Sequence, residues 1–315
     1  MIISIKNNWE LARDTHTKFL SDKIINFLSK NKSRTVGKVK AKEFVEEVYH
    51  LLILCSRKDM EDSITIYKRY LTSLSSHVLH KKQFISTIKS LFNYKNFTAK
   101  TGEWNAYKLC MKSITRTCPY CNQAYAMTVQ VDKRGCRPTL DHYYCKDKYP
   151  HLALVLNNFI PSCSTCNSSL KATTDFYSVK HLNPLWDDEN VSFLISHKDG
   201  ICGDADFFTK LEKNADGALL HLNPSIPCHK TQKSLETFLL QDRYDYIISE
   251  AVEFSLAKNR LLSAIHTGIH HFADEDEAII LRFDKVNYKK YLLGRMYHDL
   301  SVQIEGFQPA SLTTN

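Results

Sequence analysis

Asn158-Phe159-Ile160-Pro161-Ser162-Cys163-Ser164-Thr165-Cys166-Asn167-Ser168-Ser169-Leu170-Lys171 is the stretch whose reading decides the fold. Its Cys163-x-x-Cys166 knuckle has a counterpart upstream in Cys118-Pro119-Tyr120-Cys121. Two such knuckles supply the four thiolates that bind zinc tetrahedrally and leave no position open for water, so a structural Zn2+ is expected. Residues 122 to 162 separate them, far more than the roughly 15–20 of a simple zinc ribbon, so the knuckles flank an insert.

The chemistry-bearing residues lie in that insert and just after it. Tyr125, Met127, Val129 and Val131 alternate with polar residues, the mark of a strand. Asp132-Lys133-Arg134-Gly135 supplies a turn, and the extended run Arg137 to His142 is expected to close a hairpin with it. Tyr149 to Asn158 reads as a short helix or irregular turn, and Cys166 to about Ala172 as the start of another helix. Cys136 and Cys145 have no knuckle partner and read as ordinary thiols. Cys228-His229 and His270-His271 lack partners too. Tyr143, Tyr144 and Tyr149 are expected to pack the hairpin rather than stack on bases.

Further out, the pattern turns helical. Apolar residues recur at three- and four-residue spacing from Trp9 to about Lys30, from Ala41 to Ser56, around Ile64–Leu74 and around Phe84–Phe92. Gly37 reads as a turn, and the basic run Lys30, Lys32, Arg34, Lys38, Lys40 and Lys42 as a solvated loop between two helices. Beyond about Leu185 the helical stretches are Leu235–Leu262 and Tyr288–Ile304, with a frayed tail from Pro309 to Asn315 expected. The expected organisation is a helical region over residues 1–100, a zinc-stapled module over 101–186 and a mostly helical region over 187–315.

With 315 residues and 43% hydrophobic composition the chain can bury a sizeable core. It has no apolar run long enough to span a membrane and no apolar core near its start, so the expectation is a cytoplasmic protein without a membrane partner. Ten cysteines in such a chain point to metal rather than disulfides. A net charge of +8 leans toward a polyanionic partner, a weak signal by itself.

Taken in order, Pro138-Thr139-Leu140-Asp141-His142, Asn158 and Cys163-x-x-Cys166-Asn167 resemble the HNH, or ββα-metal, endonuclease family with a four-cysteine zinc site. The fold this implies is α+β: a mainly α-helical chain with an embedded ββα-metal module. The resemblance implies hydrolysis of nucleic-acid phosphodiester bonds, DNA ahead of RNA, with His142 as general base and Asn158 holding the loop. Asp141 and Asn167 would be the hard oxygen ligands of a catalytic Mg2+ or Mn2+, and Lys171 would meet a phosphate. Around the motif, Trp104 to Leu109, Arg137-Pro138, Lys148 to Leu152 and Asn183-Pro184-Leu185 are similar to the PtuB-type nuclease subunits of Septu bacterial anti-phage systems. Those subunits pair with a PtuA-like ATPase, which implies an ATPase partner here. Two other readings stay open: an RNase, for example one cutting tRNA, on the same site, and a non-catalytic zinc module that binds nucleic acid or protein.

Overall fold

The computed structural model describes residues 2–30, 33–53, 55–99, 102–131, 134–199, 206–266 and 274–306. The chain is α+β and mainly helical, and among the described residues its strands form three two-stranded antiparallel sheets. Among the described residues, no helix is long and apolar enough to cross a membrane. The chain folds into two units, each assembled from separate stretches of sequence. One comprises Ile5–Thr115 and Ala126–Asp187; the other comprises Met1–Ser4, Arg116–Tyr125 and Asp188–Asn315.

In the first unit the apolar stripes become α1 (Arg13–Lys30), α2 (Val36–Ile53), α3 (Arg57–Ser73), α4 (Val78–Leu91) and the short α5 (Tyr94–Thr98) and α6 (Ala106–Met111). The start of α3 is fixed by a capping box. Ser56 Oγ accepts from Asp59 N at 3.1 Å while Ser56 N donates to Asp59 Oδ2 at 2.7 Å, satisfying two donors that a helix start leaves unpaired. Phe44, Val48, Tyr67, Phe84 and Ile88 bury against one another. The buried His151 ring joins them, 4.8 Å from the Tyr67 ring.

Gly37 is not a turn but a buried residue of α2. A Cβ there would fall 2.3 Å from His80 O, so the glycine lets α2 and α4 approach closely. Nor is the basic run a loop, because Lys38, Lys40 and Lys42 lie on α2, where long unbranched side chains favour helix. Lys32, the turn pair Asp132-Lys133, His270-His271 and the tail from Pro309 lie outside the described residues.

The expected hairpin is paired differently. β1 (Val129–Val131) pairs with β2 (Arg134–Cys136), whereas β3 (Thr139–His142) pairs with β4 (Phe159–Ser162), matching Asp141 to Ile160 and His142 to Phe159. All described residues of β1 and β2 are exposed, while Leu140, Asp141, His142 and the whole of β4 are buried. Burial of apolar surface therefore selects β4 as the partner of β3.

The second unit is built on β5 (Val191–His197) and β6 (Ala218–Pro224), whose alternate residues Val191, Phe193, Ile195, Leu220 and Leu222 are buried. Its helices are α7 (Phe207–Lys213), α8 (His229–Thr237), α9 (Leu240–Asp245), α10 (Ile248–His266), α11 (Asp274–Ile280) and α12 (Gly294–Glu305). Helix side chains take the outer backbone groups of this ribbon. Phe193 N donates to Asp299 Oδ2 at 3.1 Å, and Ile195 bonds Gln303 through both its N–H and its carbonyl. Leu222 N donates to Gln241 Oε1 at 3.1 Å, and Gln241 Nε2 to Leu220 O at 2.7 Å.

Candidate functional site

β3 delivers Asp141 and His142, and residues 143–158 return the chain to β4 through short 3-10 turns at Pro150–Leu152 and Leu156–Asn158. Asn158 pins this return and is fully buried. Its Oδ1 accepts from Tyr144 N at 2.7 Å, and its Nδ2 donates to Tyr144 O at 3.0 Å and Leu152 O at 3.1 Å. With donors and acceptor all satisfied by backbone, Asn158 fixes the loop and takes no part in the open site. Tyr143, Tyr144 and Tyr149 are buried, their hydroxyls donating to His181 O, Glu61 and Asp175, so they serve packing.

β4 runs straight into the second knuckle and a helical turn, Thr165–Lys171, wound as π rather than α: Ala172 N donates five residues back, to Asn167 O at 2.9 Å. Such wide turns recur at functional sites, because they re-aim a side chain that α spacing would send elsewhere. The turn ends at Ala172 with φ +45° and ψ −115°, a strained backbone for a residue with a Cβ. It aims Lys171 inward. The Lys171 ammonium, 1% exposed, donates to Asp141 Oδ1 at 2.8 Å and His142 O at 2.7 Å and lies 4.8 Å from the Phe176 ring centre. The sequence-based role of Lys171 as a phosphate contact thus meets a side chain already engaged with the neighbouring Asp141.

Asp141, His142, Asn167 and Lys171 line one cleft of about 420 Å³, together with Tyr94 and Arg137. His142 Nε2 donates to Ala153 O at 3.0 Å, since a carbonyl can only accept. In the neutral ring this leaves Nδ1 as the acceptor. Burial, with smaller contributions from Lys146 and Lys171, lowers the His142 pKa to about 3 despite the bond to Ala153, so the imidazole is neutral at pH 7. The Tyr94 ring meets it edge-on, 4.5 Å between centres. Tyr94 and Arg137 were not among the residues expected here. Arg137 has a legible signal, because it heads the extended run whose Thr139, Leu140, Asp141 and His142 also line the cleft. Tyr94 is distant in sequence and carries no such signal.

The knuckles have the local geometry of metal ligands. Asn122 N donates to Cys118 O at 2.7 Å, with Asn122 at φ +54°. Gln123 N points at Cys121 Sγ and Cys166 N at Cys163 Sγ, each at 3.4 Å. Cys118, Cys121, Cys163 and Cys166 are a group that could hold a metal ion. Four thiols are a tetra-cysteine set compatible with zinc. The Asp141 carboxylate and the Asn167 amide also line the cleft, oxygen donors of the kind that suit a hard cation. Comparison with protein-family models, with curated proteins and with solved structures returns no match to this chain.

Proposed function

We propose that the chain is a metal-dependent HNH-type endonuclease that hydrolyses nucleic-acid phosphodiester bonds, with DNA the preferred substrate. The observation that carries this reading is the meeting of a neutral, oriented His142 with Asp141, Asn167 and three basic side chains in one cleft. His142 Nδ1 takes the proton of the attacking water. Alone, so buried an imidazole is a weak base; a phosphodiester anion entering beside it favours the imidazolium and raises its basicity at the moment it is needed. Asp141 and Asn167 would hold Mg2+ or Mn2+, which when bound relieves charge on the phosphoryl and leaving oxygens. Asn158 and the Ala153 carbonyl keep the imidazole from turning. The four cysteines would hold zinc, which would tie the two knuckles together.

The similarity to Septu-type nuclease subunits extends the proposal to an anti-phage effector gated by an ATPase partner. The test is cleavage of plasmid DNA, single-stranded DNA and tRNA by the purified chain with Mg2+ or Mn2+, against His142→Ala. The expected result is cutting that falls at least ~100-fold in the variant, the ordinary size of a general-base contribution. Equal cutting by both proteins, or inertness of both even with a co-encoded ATPase and its nucleotide, overturns the reading in favour of a zinc-stapled binding module. Preference for tRNA would move the substrate to RNA. Metal analysis of the chain, with Cys166→Ser as control, tests the zinc site independently of cleavage.

A further inference from the structure

The charges in the cleft do not cancel. Lys171 is answered by Asp141 at 2.8 Å and Lys146 by Asp147 at 3.7 Å. Arg137 is the surplus: among the described residues no carboxylate pairs with it, and its Nε is enclosed without a hydrogen-bond partner. Its surroundings hold the group in place. Nη1 donates to Pro138 O at 2.8 Å, and the guanidinium lies 5.4 Å from the centre of the Tyr107 ring, whose hydroxyl donates to Gly135 O at 3.2 Å. The Tyr94 hydroxyl and Cys110 thiol beside it are kept protonated, burial raising each to about 12. No neighbour therefore supplies the negative charge that a half-buried guanidinium ordinarily has.

We propose that Arg137 is the substrate-phosphate site of this cleft, its guanidinium gripping the non-bridging oxygens of a phosphodiester beside His142. The inference rests on the nuclease reading for the identity of the anion. Guanidinium is the side chain suited to it, presenting a planar fork of donors that matches two phosphate oxygens, and it remains charged at any working pH. With Lys171 engaged by Asp141, Arg137 takes the phosphate-contact role.

The experiment measures binding separately from cutting. A fluorescein-labelled DNA duplex is titrated by anisotropy, over a range of salt, with full-length His142→Ala and with the same chain carrying Arg137→Gln or Arg137→Lys. The glutamine variant is expected to bind ~10-fold or more weakly, with the log–log salt slope reduced by about 0.9, the release of counterions from one phosphate. The lysine variant is expected to keep the slope and lose part of the affinity. The proposal is overturned if Arg137→Gln binds within about twofold of the parent with an unchanged slope. It is equally overturned if Arg137→Lys loses the slope as glutamine does, because the effect then follows packing rather than charge. Cleavage by the unmutated chain is scored alongside. Arg137-dependent binding by a chain that cuts nothing removes the nuclease reading and leaves the phosphate site; cutting with Arg137-independent binding does the reverse. A chain that binds no nucleic acid removes both.

Discussion

Two buried lysines, one in each unit, show how differently one charge can be used. Lys258 on α10 is fully buried and bonded to two carboxylates, Glu277 of α11 and Glu305 of α12, the latter at 2.9 Å. Lys285 shares Glu305, so two lysines balance two carboxylates, and the Lys258 ammonium works as a clamp joining three helices. Lys171 has one carboxylate and one carbonyl, and it lines a cleft that solvent reaches. Its partner Asp141 is shared with an open space, so its bond is exchangeable where that of Lys258 is not. A buried lysine is structural or functional according to what else its carboxylate can meet.

The strongest way to break the comparison is Lys258→Met. It leaves Glu277 without its lysine and Glu305 with Lys285 alone, and is expected to cost about 3–5 kcal/mol in urea unfolding at neutral pH. A loss under about 1 kcal/mol would show that water already replaces the clamp. Lys171→Met is expected to cost less, about 1–3 kcal/mol, because the cleft rehydrates Asp141. Added Mn2+ should raise the melting temperature of this variant more than that of the unmutated chain, and should shift Lys258→Met only as much as the unmutated chain; equal shifts in all three would refute an exchangeable Asp141.

Acid separates the units next. Burial lowers His16 to about 4 and His142 and His151 to about 3, all three in the unit that holds the cleft. His16 is locked neutral as well, accepting from Trp104 Nε1 at 3.1 Å while donating to Leu154 O at 2.8 Å. Since these folded values lie below the unfolded 6.5, the unfolded chain binds more protons once pH falls under about 6.5. Stability is present above that pH and is lost toward 3–4, at about 1.4 kcal/mol per pH unit for each ring. Hydrogen exchange at pH 7 and pH 5 should show the cleft unit loosening; loosening confined to α10–α12 would contradict it. The smallest effect is expected from Ala172→Gly, which relieves the positive φ behind Lys171 and should gain about 0.5–1 kcal/mol. A decrease in melting temperature would mean that the Ala172 methyl contributes packing worth more than the strain.

What was legible in the sequence was whatever depends on fixed short spacing: both knuckles, the Asp141-His142 pair, and the α1–α4 stripes. The β3 partner was not, because β3 and β4 are four residues each and buried almost throughout, which erases the alternation that reveals a half-exposed strand. The inward aim of Lys171 was hidden too, since helical spacing assumes α winding and the π turn breaks it. β5 carried a readable alternation at Val191, Phe193 and Ile195, in a region expected to be mostly helical. Gly37 misled because glycine marks a close helix approach as readily as a turn.

The β5–β6 ribbon has a consequence for how the protein behaves in bulk. A two-stranded ribbon ordinarily presents backbone groups along both margins, each a template on which another chain can crystallise into sheet. Here Asp299, Gln303 and Gln241 already occupy such groups at Phe193, Ile195, Leu220 and Leu222. Fibrillar growth seeded from this ribbon would first have to evict those side chains, so in concentrated solution the ribbon is inert toward its own copies.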